Sequence, residues 1–193
     1  MKKFLCMLML LGSAGLVNGQ KALSNVENIS FYGVDFSQAK TVGAADLSAQ
    51  LKNAFSSINT LFISEAKKYD LGKFLNKKEV GVNLKMIEGV NALINEDEIK
   101  IVDNKYVVPK KKVAEMVESY KIDEKDGVGL VMIASLLDKG KDSGSYYVVF
   151  FDNKTRNIIY SDLVEGKAGG FGLRNYWAAT VYNVLKEWNP KKR

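Results

Sequence analysis

The sequence predicts an α+β fold: a single, mostly antiparallel or mixed sheet with helices packed on it. Three observations carry that prediction. Apolar residues recur at three- and four-residue steps through residues 46–69. Three strand-like runs follow one another between residues 127 and 163, the last two around a turn. Helical stripes stand before and after those runs, so the order reads β-α-β-(α)-α-β-β-β-α.

The elements follow in turn. Residues 28–36 (NISFYGVDF) mix β-branched and aromatic residues and read as the first strand, with Phe31, Tyr32 and Phe36 on two buried faces. Leu47, Leu51, Phe55, Ile58, Leu61, Phe62 and Tyr69 form one stripe of a long helix, with Asp46 as its expected N-cap. Residues 70–76 add a turn of helix, interrupted near Gly72. Residues 79–86 (EVGVNLKM) alternate and predict a second strand. Residues 87–103 carry little pattern beyond a short helix at 90–94. Pro109 suits the first turn of a helix running to Tyr120, with Val113, Met116 and Val117 on one face. Residues 127–137 are nearly all apolar and predict a buried strand. Residues 145–152 and 157–163 form a hairpin around the turn 153–156. Residues 173–188 close the chain as a helix facing Leu173, Trp177, Val181, Val184, Leu185 and Trp188 inward, and Asn189-Pro190 stops it.

Composition narrows the function. The chain has 193 residues, 47% hydrophobic and 26% charged, which suits one globular domain over residues 20–193. Residues 1–19 read as a signal peptide: Lys2 and Lys3, a short apolar run from Phe4 to Val17, then Val17-Asn18-Gly19 before the cut. The expected location is therefore the periplasm or the exterior. Histidine is absent, and the lone cysteine, Cys6, falls in the segment to be removed. The mature chain then excludes a Ser-His-Asp triad, a Cys-His pair, a typical zinc site and an internal disulfide. No catalytic residue, cofactor or metal site is assigned. No later apolar run reaches membrane-spanning length, and the formal charge of +6 in an exported protein does not point to nucleic acid.

The segment with most chemical content is GKAGGFGLRNYW, residues 166–177. Glycines free the backbone to approach closely or take positive φ, and a helix start attracts anions. Lys167, Gly169, Gly170, Gly172, Arg174 and Asn175 are therefore the candidate ligand-binding residues, for a phosphate, sulfate or carboxylate. The alternative is a tight strand-to-helix crossover whose Arg and Asn cap neighbouring backbone. Phe171, Tyr176 and Trp177 line a groove on the first reading; Trp177 and Trp188 anchor the core on the second. Basic runs at 110–112, at Lys139 and Lys141, and at 191–193 read as solvated faces or as contacts to anionic lipid or polysaccharide. Asp35, Asp152, Asp162 and Glu165 flank strand ends, where a glycosidase pair or simple turn roles both fit. Ser135, Ser143 and Ser145 near Lys139 and Lys141 admit a Ser-Lys hydrolase. Residues 95–98 and 138–142 are oxygen-rich without a calcium-loop pattern.

Several stretches resemble a group of uncharacterised exported proteins of Gram-negative bacteria: FYGVDFS (31–37), AFSSINTLF (54–62), GVGLVMI (127–133), YVVFFDNKTRNIIYSD (147–162) and, above all, GKAGGFGLRNYWA (166–178). More distantly, the first strand, long helix and late hairpin carrying Asp152-Asn153-Lys154-Thr155 are similar to small periplasmic α+β domains: the N-terminal domain of the Tol translocation protein, the periplasmic domain of the curli secretion channel and the penicillin-binding-protein activator lipoproteins. That resemblance implies a module that binds protein partners or assembles. The chain departs from the lipoproteins in lacking a lipobox cysteine. The expected function is thus an exported, non-catalytic envelope module binding a protein or an envelope component. A small-anion binder at 166–174 and a carboxylate- or Ser-Lys-based hydrolase of envelope polymers are the alternatives.

Overall fold

The computed structural model describes Leu23 and residues 26–188. The predicted signal peptide, the Asn189-Pro190 stop and the basic run 191–193 lie outside the described residues. The chain folds as α+β, with a single mixed sheet of six strands covered by helices on both faces.

The strands are β1 (Ile29–Asp35), β2 (Lys40–Val42), β3 (Gly81–Val82), β4 (Val128–Asp138), β5 (Ser143–Asp152) and β6 (Ile158–Lys167). The helices are α1 (Ser48–Ser64), α2 (Leu71–Leu75), α3 (Lys85–Ala92), α4 (Lys110–Ser119) and α5 (Leu173–Glu187). The sheet order is β3-β1-β4-β5-β6, with β2 also pairing β4. β1 and β2 run parallel to β4, whereas β4, β5 and β6 form an antiparallel meander.

All eleven residues of β4 are buried, as a strand covered on both faces requires. One face carries Phe31, Leu130, Val148 and Phe150 against α1, α2 and α5, with Trp177 and Trp188 buried in that layer. The other carries Tyr32, Val131, Ile133, Tyr147 and Phe151 against Val113, Met116 and Val117 of α4 and Ile87 of α3.

β1 is finished by side chains. Its pairing with β4 shifts register between Phe31 and Val34, where Gly33 takes φ +106°. Beyond that point β3 offers no partner. Asn59 of α1 accepts from Val34 N–H at 2.7 Å and donates to Val34 C=O at 2.9 Å. Asn91 of α3 donates to the same carbonyl at 2.9 Å and accepts from Phe36 N–H at 2.8 Å. Two buried asparagines thus satisfy backbone groups that would be costly to leave bare.

The sequence reading needs correction at the helix starts and around residue 80. Asp46 does not cap α1; Leu47 precedes it, and the Gln50 side chain accepts Leu47 N–H at 3.0 Å. The 79–86 alternation yields only the two-residue β3, because Met86 already belongs to α3. β2 is an additional strand. α2 runs through Gly72, capped by Asp70 and closed by Asn76 at φ +54°. Pro109 stands at the N-cap of α4, one residue before its first turn. β6 extends to Lys167, which puts Gly166 and Lys167 in a strand.

Candidate functional site

The glycine segment sorts into separate steric roles. A Cβ on Gly166 would sit 2.1 Å from the Thr180 carbonyl oxygen, so α5 crosses β6 where only glycine fits. Gly170 and Gly172 take φ of +95° and +82°, a region that suits glycine. Gly169 has open space around it and no positive φ. Lys167 and Arg174 are exposed. The Arg174 guanidinium donates from Nε and Nη2 to Asn175 Oδ1 at 3.1 and 2.9 Å. Asn175 Nδ2 donates to the Phe171 carbonyl at 3.1 Å. Asn175 therefore braces the loop, while the Arg174 charge meets no carboxylate among the described residues.

The loop is moored to the β4–β5 turn. Ala168 N–H donates to the Asp142 carbonyl at 2.7 Å, and Tyr176 Oη donates to the Asp142 carboxylate. The Lys139 ammonium lies 3.4 Å from the Tyr176 ring centroid, a close cation–π contact. Phe171, at the loop tip, is 96% exposed and joins neither a groove nor the core; Trp177 is fully buried.

The candidate hydrolytic groups are dispersed. Asp35 lies level with Ile133 of β4, and Asp152 with Val128, roughly 16 Å away along that strand. Glu165 and Asp162 lie on β6, three strand spacings or roughly 14 Å from β1. Neither separation suits a glycosidase pair. Asp152 caps the hairpin turn, accepting from Lys154 N–H, Thr155 N–H and Thr155 Oγ1, and these bonds hold its carboxyl below the usual range. Ser135 Oγ accepts from Val108 N–H and Ser145 Oγ bonds the Leu136 backbone, so both serve structure.

A cleft of about 450 Å³ opens on the α4 face of the sheet. Its floor is Tyr32. One wall is α3, with Met86, Gly89 and Val90, and just beyond it Leu93; the other is the end of α4 and the segment after it, with Ser119 and Ile122. Leu93 is 85% exposed. A second depression of about 390 Å³ shares Val90, Leu93 and Ser119 and continues to Ser37 and Lys40 after β1.

The cleft is pinned by bonds from outside it and by one across it. Arg156, in the hairpin turn at φ +64°, donates from Nε to the Tyr120 carbonyl and from Nη2 to the Ile122 carbonyl, both at 3.0 Å. It thereby takes the carbonyl of the C-cap Tyr120 and that of Ile122 just beyond α4, at a helix end where a cation is favoured. Tyr32 Oη donates to the buried Asn153 Oδ1 at 3.1 Å. Burial, with the nearby Glu124 charge, pushes the Tyr32 hydroxyl up to about 12, so it stays protonated. Asn83 Nδ2 donates to Glu124 Oε1 at 2.6 Å, linking the chain before α3 to the opposite wall. Beneath, Tyr120 Oη donates to the fully buried Asp35 at 2.6 Å, and Ser37 N–H donates to the same carboxyl at 2.8 Å. Burial raises the Asp35 pKa against those two bonds, and raises Tyr120 as well.

The sequence reading missed the cleft. Met86, Val90 and Leu93 recur at four and three residues, a helical stripe, but the strand-like alternation of 79–86 overlaps its start. The other contributors come from distant segments. No family model, curated protein or solved structure matches the chain.

Proposed function

We propose that this protein is an exported, non-catalytic binding module of the cell envelope, and that it receives its protein partner or envelope component in the cleft between α3 and the end of α4. One observation carries the reading: Met86 and Val90, half-buried against the core, and Leu93, 85% exposed just after α3, make an apolar wall over a pinned floor. The lining also holds Asn83, Lys85, Lys121, Asp123 and Glu124, and an apolar wall with polar groups to fix orientation is the usual form of a binding site. The dispersed carboxylates and the serines bonded to backbone support binding in preference to catalysis.

The test compares two exposed apolar positions. Leu93→Asp places a charge at the cleft, and Ile63→Asp places one near the end of α1, where Ile63 is 64% exposed. Each variant is immobilised and challenged with envelope extract. The expected result is a component retained by wild type and by I63D but lost with L93D. Equal retention by L93D and wild type contradicts the reading.

A further inference from the structure

The loops at one end of the sheet expose three large apolar residues among cations. β2 is parallel to β4, and Lys139 N–H bonds the Val42 carbonyl, so the chain after β2 emerges beside the β4–β5 turn. β6 ends there too, since Ser143 pairs with Lys167. Lys100 bridges Thr41 in parallel, and Ile101 N–H bonds the Thr41 carbonyl, which carries Val102 to the same end. The Lys100 ammonium in turn reaches the Asp46 carbonyl just before α1. This end therefore presents Phe171 at 96%, Val102 at 96% and Leu47 at 68% exposure, on three separate loops. They stand across a width of about four strand spacings, roughly 19 Å.

Acids stand beside two of the tips, Asp46 next to Leu47 and Asp103 next to Val102, and the positive bias lies around the glycine loop and the β4–β5 turn. Lys139 pairs with Asp142 at 3.8 Å and Lys141 with Asp138 at 3.5 Å. Lys167 and Arg174 form no ion pair among the described residues and remain exposed. Both α1 and α5 also begin at this end, adding the partial positive charge of two helix starts.

We infer that this end of the sheet is a membrane-contact surface, which lays Phe171, with Leu47 and Val102 beside it, into the headgroup region of an anionic bilayer while Lys167 and Arg174 meet lipid phosphates. Two features favour a bilayer over a protein. The tips are separate and convex, so a protein would need a matching pocket for each, whereas a lipid interface yields to them. The unpaired cations complement an anionic surface, where each is worth about a fivefold gain in binding. Membrane contact here is independent of the cleft.

The test uses the protein purified as the exporting cell processes it, so any contribution of the N-terminal segment is the same in every variant. Vesicles of phosphatidylcholine with about 30% phosphatidylglycerol are compared with phosphatidylcholine alone. Wild type is expected to co-sediment with the anionic vesicles only, and to be released at about 0.5 M salt, where screening is nearly complete. F171A is expected to bind about tenfold more weakly, the share of one buried phenyl group. K167S/R174S is expected to bind about thirtyfold more weakly. F171W fluorescence is expected to shift to the blue with anionic vesicles and to be quenched by brominated acyl chains. Unchanged thermal unfolding of F171A confirms that the exposed ring plays no part in folding. Equal binding by wild type and F171A, or binding that ignores lipid charge, overturns the inference. So does saturable binding of inorganic phosphate through Arg174 without vesicle binding, which makes the loop a small-anion site. Loss of a co-purifying protein in F171A without vesicle binding overturns it as well, in favour of a protein dock.

Discussion

The loop end and the cleft are both exposed surfaces on one sheet, yet they are assembled differently. At the loop end, the candidate residues Lys167 to Asn175 are contiguous, and their conformation is set by glycines and by the α5 start. In the cleft, Tyr32, Met86, Val90 and Ile122 come from three distant segments; Asn153 holds Tyr32, Arg156 holds the Tyr120 and Ile122 backbone, and Asp35 holds Tyr120 behind them. The difference teaches where each surface is vulnerable. The loop end depends on one helix lying close to one strand. The cleft depends on polar ties that sit behind it.

Trp177→Ala tests the first half most severely. Trp177 is fully buried where α5 rests on the sheet, so truncation is expected to cost about 3–5 kcal/mol in urea unfolding. A loss below about 1 kcal/mol would mean that α5 does not moor the loop end through that side chain. Next in size, Gly166→Ala forces a methyl onto the Thr180 carbonyl, at an expected cost of about 3 kcal/mol. Gly169→Ala, three residues on with open space around it, is expected to stay within about 0.5 kcal/mol of wild type. Similar costs for the two would erase the distinction between structural and free glycines.

The cleft half is probed by Arg156→Ala, which releases the Tyr120 carbonyl and leaves the Ile122 carbonyl to Lys125 alone, and is expected to cost about 1–2 kcal/mol. It should also weaken capture of an envelope component as L93D does, while leaving vesicle binding intact. Parallel loss of both would join the two surfaces that the structure separates.

The smallest effect concerns pH. Burial raises the Asp35 carboxyl above its ordinary 3.8. The unfolded chain then gives up this proton first, so the stability tied to Asp35 is full below 3.8 and declines as pH rises through the native value. Asp35→Asn removes that slope. The stability of wild type relative to D35N is expected to fall as pH rises above about 4. A difference that grows over that range would mean that the bonds from Tyr120 and Ser37 outweigh burial.

How much was legible follows the same division. α1, α4, α5 and the β4-β5-β6 meander carry strong local periodicity, and their existence and order were readable. The 166–175 loop was readable as a candidate because its residues are adjacent, and Asn175 does brace backbone as one alternative expected. Phe171 was less so, since nothing local distinguishes an exposed phenylalanine from a buried one. β2 and β3 are three and two residues long, too short for periodicity, and exist because β4 and β1 supply their partners. The braces of the cleft are long-range bonds: Tyr32 to Asn153 spans 121 residues and Tyr120 to Asp35 spans 85. No window of sequence contains both members of such a pair.

The side-chain completion of β1 bears on the order in which the molecule assembles. Val34 and Phe36 wait for Asn59, 25 residues after Val34, and for Asn91, 55 residues after Phe36, while the strand partner of Ile29 is Val128. The earliest strand among the described residues is therefore among the last segments to be satisfied during folding. Such distant pairings slow folding and keep a chain open to interception while it waits. Once closed, the same arrangement ties β1 to a helix from each of two separate segments and to the central strand at once. Amide protons of Val34 and Phe36 should accordingly exchange with solvent only when the whole molecule opens, making β1 the slow-exchanging seam of the fold.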